Sequence, residues 1–170
     1  MPRLAAIRWS LAAIFALLAT LAGCAPPAYD PLTDQQITAV EQETDGLLVK
    51  LITLDARIAQ LQKLNDPASQ KALAEARTEA GYAANIGAYD QITTDLATLK
   101  LRMTATPDPS AAKLGQSIEL IRQNIQDLQS VHAQQGYLGA AALQAARTAI
   151  LQQFETLMRY ELNLKAGKPG

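Results

Sequence analysis

The chain has 170 residues, 49% of them hydrophobic but only 5% aromatic, which is about one domain's length with a core of aliphatic and alanine side chains. Its formal charge is −1; Arg3 and Arg8 account for two of the 15 basic residues, and the other 13 are interspersed with 16 acidic ones. Such a balance excludes the basic footprint of a nucleic-acid-binding protein, and a single cysteine excludes an internal disulfide, so stability must come from packing.

Arg3 and Arg8 form a positive opening segment, and residues 9–21 are almost wholly apolar. That run is too short for a stable transmembrane helix, which needs about 20 residues. It has the shape of a cleavable secretory signal. The segment ends on Leu21-Ala22-Gly23-Cys24. These four residues resemble the bacterial lipobox, a Leu and two small residues before Cys. The resemblance implies that the Cys24 thiol receives a diacylglycerol, that cleavage follows Gly23, and that the freed amine of Cys24 is acylated. Two or more acyl chains, each contributing about 0.8 kcal/mol per buried CH₂, anchor a protein stably without spanning the bilayer. Ala25, where an Asp would favour inner-membrane retention under proteobacterial sorting rules, implies by the same resemblance the periplasmic face of the outer membrane.

Residues 24–32 carry the lipidated cysteine and three prolines, and read as a tether reaching about 25 Å at roughly 3.1 Å per residue. The first helix is expected to start at Thr33, where the Thr33-x-x-Gln36 spacing matches a capping box. Ile37, Val40, Leu47, Leu51, Leu54, Ile58 and Leu61 follow in steps of three and four, with Leu48, Ile52 and Leu64 widening the stripe. Asn65-Asp66-Pro67 ends this helix and starts the next, Asp66 capping and Pro67 in the first turn. The second helix, to about Met103, has its seam on Tyr82, Ile86, Tyr89, Ile92, Leu96, Leu99 and Met103, and Gly81 and Gly87 predict a kink or break between them.

Asp108-Pro109 repeats the start signal. A third helix carries Leu114, Ile118, Ile121, Ile125, Leu128 and His132 and stops at Gly136. A fourth runs from about Leu138 to Lys165 on Leu143, Ala146, Ile150, Phe154, Leu157 and Leu164. Four amphipathic helices with short connections predict an all-α, up-down bundle over residues 33–166, following a signal peptide over 1–23 and preceding a short tail over 167–170. The alternative architecture is a long helical hairpin that completes its core as a homodimer.

Candidate chemistry is sparse. His132, the only histidine, lies on an apolar seam in a last helical turn, where an imidazole ordinarily bonds terminal carbonyls and complements the helix dipole. Metal sites need several ligands in register, and no such set is present. Glu161 falls near the inner seam of the fourth helix at the same pole as Arg102, which suggests a partly buried ion pair. Glu41/Asp45 and Glu75/Glu79 are carboxylate pairs at i,i+4 on polar faces. Tyr82 and Tyr89 share a helix face, as core aromatics do far more often than cofactor-binding ones. No catalytic triad, phosphate loop or zinc motif exists, and lipidation would consume the only thiol.

Tyr29-Asp30-Pro31 soon after the lipidated cysteine, the 95–102 segment from Asp95-Leu96 to Leu101-Arg102, and the stretch from Leu120 through Leu128 to His132 resemble a family of small all-helical bacterial lipoproteins of unknown function. The resemblance implies a helical envelope protein and supplies no activity or cofactor. The sequence therefore reads as a non-enzymatic accessory or scaffold lipoprotein, held to the membrane by Cys24 and binding another envelope protein. The alternative is a periplasmic bundle binding a small ligand or metal with Tyr82, Tyr89 or His132.

Overall fold

The computed structural model describes residues 29–105 and 109–166; Gly23 and Cys24, and with them the cleavage and lipidation sites, lie outside the described residues. The architecture is all-α, with no strand among the described residues: α1 (Pro31–Leu61), α2 (Pro67–Ala80), a 3₁₀ turn (Tyr82–Ala84), α3 (Ile86–Ala105), α4 (Pro109–Gln135) and α5 (Ala140–Lys165). None of these helices is long and apolar enough to cross a membrane.

The start of α1 corrects the sequence expectation by two residues. Asp30, not Thr33, is the N-cap: its Oδ1 accepts from the Leu32 amide at 3.0 Å and its Oδ2 from the Thr33 hydroxyl at 2.7 Å. Asp30-Pro31 is the same start signal as Asp66-Pro67, where the Asp66 carboxylate accepts from the Ser69 amide at 2.9 Å. An aspartate before a proline satisfies an orphan amide with a charged acceptor and presets φ for the first turn, so it outcompetes the neutral Thr33-x-x-Gln36 box. Asp30→Ala is therefore expected to cost about 1–2 kcal/mol in denaturant unfolding and Gln36→Ala less than about 0.5. Equal effects would restore the Thr33 start.

The predicted break divides the second helix, so the described residues form five helices and not four. α2 closes at Ala80, where Gly81 leaves the helical path; a Cβ there would lie 3.2 Å from the Thr78 carbonyl and 3.3 Å from that of Arg77. The buried Asn85 side chain stabilises the break by donating to the carbonyls of Glu79 (2.9 Å) and Gly81 (2.8 Å). The restart at Ile86 changes the phase of the apolar stripe, which is why Ile86, expected on the seam, is exposed. Leu64 is exposed because α1 has already ended. The fourth predicted helix starts at Ala140, two residues later than expected.

α1, α3, α4 and α5 run up, down, up and down around one core that includes Leu48, Tyr89, Leu96, Ile118, Ile125, Ile150 and Phe154. α1 lies between α3 and α5, and α4 closes the square opposite it. The core is thus completed within one chain, without the second copy that the hairpin alternative required. Polar pairs lock adjacent corners. Arg147 of α5 grips Asp45 of α1 through two bonds of 2.5 and 3.1 Å, and Lys100 of α3 reaches Glu119 of α4 at 2.8 Å. With Arg122 also on Glu119, that carboxyl is held down at about 2, the Arg122 bond being the larger cause.

Among the helices, α2 packs chiefly on α1. Leu54 and Ile58 of α1 meet Leu73, Ala76 and Ala80 of α2 in a second, smaller core. The α1–α2 hairpin consequently rises past the level where α4 turns into α5. The fold has two unlike ends: a tether-side pole, where α1 starts and α3 and α5 finish, and a far pole formed by the hairpin and the α4–α5 loop.

Candidate functional site

The break between α2 and α3 is built around His132, which reaches it from the last turn of α4. His132 is fully buried, with Nε2 3.0 Å from the Ala80 carbonyl and Nδ1 3.1 Å from the Tyr89 hydroxyl. A carbonyl can only accept, so Nε2 carries the proton, Nδ1 offers its lone pair, and the Tyr89 O–H donates to it. The imidazole is neutral: burial pushes its pKa below the ordinary 6.5, against the smaller opposing effect of the Ala80 bond. Tyr82 packs edge-on at 5.7 Å and Tyr89 at 5.8 Å between ring centroids.

His132 thus bonds a terminal carbonyl, as the sequence suggested, but the carbonyl belongs to α2 and not to its own helix. The residues near it in sequence, Gln134 and Tyr137, are not its partners; Tyr89 and Ala80 lie 43 and 52 positions upstream. With both ring nitrogens engaged and no exposure, the group is a latch. It lacks the open position that a general base or metal ligand needs. Among the described residues no group of three or more His, Cys, Asp or Glu is placed to hold a metal ion.

At the tether-side pole the Glu161–Arg102 expectation is corrected. Arg102 forms its ion pair with Asp30 Oδ2 at 3.0 Å, because the α1 N-cap brings that carboxylate to the end of α3. Glu161 is only 2% exposed, and its Oε2 has no hydrogen-bond partner. Burial first, then the nearby Asp34 and Asp30, raise its carboxyl to about 7. Above it the Tyr29 hydroxyl donates to Asp34 Oδ2 at 2.6 Å, a bond that pushes the phenol up to about 12, and the Lys165 ammonium sits 5.4 Å from the Tyr29 ring centre. Of the i,i+4 carboxylates, Asp45 is engaged by Arg147, and Glu41 is raised by burial and by Asp45.

Four surface depressions stand out among the described residues, two of them over α3 and α4, where Lys100 and Glu119 already pair with each other. A groove of about 340 Å³ runs between α1 and α3 over Gly46 and Ala88, but its cation is committed, since Lys50 Nζ donates to Asn85 Oδ1 at 2.9 Å. The most enclosed of the four is a cleft of about 290 Å³ at the far pole, lined by Asp55, Ile58, Ala59, Gln62, Arg77 and Tyr137. Three elements build it. Ile58 and Ala59 of α1 give it an apolar wall, α2 contributes Arg77, and the α4–α5 loop folds Tyr137 back over the hairpin core. The loop can turn so sharply because Gly136 takes φ +69°, the left-handed conformation that ends a helix, with its amide on the His132 carbonyl at 2.8 Å.

Asp55 then accepts from the Ala140 amide at 2.8 Å, fixing the start of α5, which has only Gly139 at its cap position. The Arg77 guanidinium, the Gln62 amide and the Tyr137 hydroxyl have no partner among the described residues. An apolar wall beside several unengaged donors can hold a small group bearing an acceptor or an anion. At the low end of the ~300–1,000 Å³ range of ligand pockets, this cleft suits one side chain or chain end and not a cofactor. Sequence reading singled out none of these residues as a site. Arg77 and Gln62 looked like ordinary polar-face positions, and nothing local marks Asp55 as the cap of a helix 85 residues later.

No family model, curated protein or solved structure matches the chain.

Proposed function

We propose that this protein is a membrane-anchored lipoprotein of the bacterial envelope that acts without catalysis, holding another envelope protein through its far pole. The observation that carries the reading is the cleft between the α1–α2 hairpin and the α4–α5 loop, which sets unengaged donors at the end opposite the chain's entry. Support comes also from the Leu21-Ala22-Gly23-Cys24 motif and from a bundle interior filled by its own side chains. The ligand-binding alternative loses its best candidates, because His132 and Tyr89 spend their polar atoms on each other and on Ala80.

The reading is tested in living cells with the full chain, carrying a photoreactive residue in place of Tyr137 or, for comparison, of Leu120 on the bundle side. Crosslinking to one defined envelope protein is expected from position 137 only, and Arg77→Glu is expected to cut the yield at least tenfold. Equal yields from both positions, or indifference to Arg77→Glu, would refute it.

A further inference from the structure

We infer that the tether-side pole is itself a membrane-contact surface, with Leu32, Leu101 and Leu162 entering the headgroup layer of the bilayer. The inference rests on the reading that Cys24 carries lipid, and deepens it by assigning a second contact to the folded domain.

Among the described residues the three most exposed large apolar side chains are Leu101 at 71%, Leu162 at 60% and Leu32 at 56%. All three lie within about one turn of the same end of the bundle. Leu32 is the second residue of α1, Leu101 stands four residues before the end of α3, and Leu162 three before the end of α5. At 1.5 Å per residue each is within about 6 Å of its helix end, which matches the roughly 5–10 Å to which apolar groups of surface-bound helices penetrate. They occupy three of the four corners of the bundle, so one plane meets all three when the bundle stands on this pole.

The occupant follows from where the rest of the chain goes. The 28 residues outside the described structure on the N-terminal side join it at Tyr29, beside Leu32, and Cys24 is only five residues before that point. Five extended residues span about 17 Å, so a lipid on Cys24 keeps this end close to the bilayer.

Part of the charge near this pole is neutralised in pairs, since Arg102 meets Asp30 and Lys100 meets Glu119, while Asp34 and Lys165 make no ion pair among the described residues and would stay at headgroup level. Paired charges cost less to bring toward lipid than isolated ones. Contact at three corners would hold the domain upright. The cleft beside Tyr137 would then face away from the membrane, toward a partner.

The test uses tryptophan as a depth probe, since the only tryptophan, Trp9, lies in the segment that cleavage would remove. Full chains carrying Leu32→Trp, Leu101→Trp, Leu162→Trp or, as a far-pole control, Leu64→Trp are produced in a bacterium. They are then reconstituted into phosphatidylethanolamine–phosphatidylglycerol vesicles containing brominated lipid. Leu64 is itself 48% exposed, so all four substitutions fall on open positions. The three tether-side probes are expected to emit at shorter wavelength than the control and to be quenched at least twofold, with Leu64→Trp unquenched. Intact mass and vesicle flotation report the anchor separately. Lipidated protein that floats with all four probes unquenched overturns the contact while the anchor stands; a chain that acquires no lipid and does not float overturns both.

Discussion

Replacing His132 with alanine is expected to destabilise the domain by about 3–4 kcal/mol, the largest single-site effect outside the aliphatic core. The substitution does three things at once. It leaves the Ala80 carbonyl without its donor, it leaves the buried Tyr89 hydroxyl without its acceptor, and it opens a void beside two tyrosine rings. Tyr89→Phe removes only the hydroxyl and keeps the ring, so it is expected to cost about 1–2 kcal/mol. Guanidinium unfolding of the three proteins measures the order. A His132→Ala variant as stable as wild type would mean that water or a rotated side chain fills the latch.

The latch also has a pH dependence. The folded imidazole titrates below its ordinary 6.5, so the stability it contributes is present above 6.5 and is lost as pH falls through the folded value.

Glu161 works in the opposite direction. Its carboxyl titrates near 7 in the folded chain against 4.5 for an ordinary glutamate. The folded state therefore holds this proton more tightly than the unfolded state does. The resulting stability is complete below pH 4.5 and disappears as pH rises through 7. A difference of this size corresponds to about 3 kcal/mol, or very roughly 10 °C in Tm for a domain of this length. Glu161→Gln supplies a neutral side chain of the same shape, and is expected to melt close to wild type at pH 5 and about 10 °C higher at pH 8. A Tm difference that stays constant between pH 5 and 8 would sink the assignment.

The other shifted carboxylates do not confuse that comparison. Asp30, lowered chiefly by its Thr33 bond, and Glu119, held at about 2, lose their contributions only at more acidic pH. Glu41 and Glu43 are raised like Glu161, but the variant changes neither. In wild type the His132 and Glu161 trends oppose each other below pH 6.5 and above 4.5, so over that range its stability should be flatter with pH than that of either single variant.

Much of this structure was legible in the chain because helical periodicity is a local property. The seam residues of α4, from Leu114 to His132, are buried as their three-and-four spacing requires, and so are Leu143, Ile150, Phe154 and Leu157 of α5. The break near Gly81 was legible for the same reason, since two glycines weaken a helix whatever surrounds them. The misplaced start of α1 is a different case. Two local signals compete over residues 30–36, and the stronger one, Asp30-Pro31, had been assigned to the tether.

The sequence by itself determined that the described chain is helical, roughly where each helix lies, which stripe it buries, and that a lipobox-like motif precedes the domain. Tertiary structure decided what the polar residues do. Arg102 took Asp30, Glu161 was left buried beneath Asp34, His132 crossed to the carbonyl that ends α2, and Asp55 capped a helix far along the chain. It also decided that α2 would pack chiefly on α1 and leave a cleft beside Tyr137. The physical reason is the range of the interactions. An apolar stripe follows from 3.6 residues per turn and can be read within one helix. A hydrogen bond from a side chain to a group 43 to 85 residues away exists only once packing has fixed which helix ends meet, and no local pattern encodes that distance.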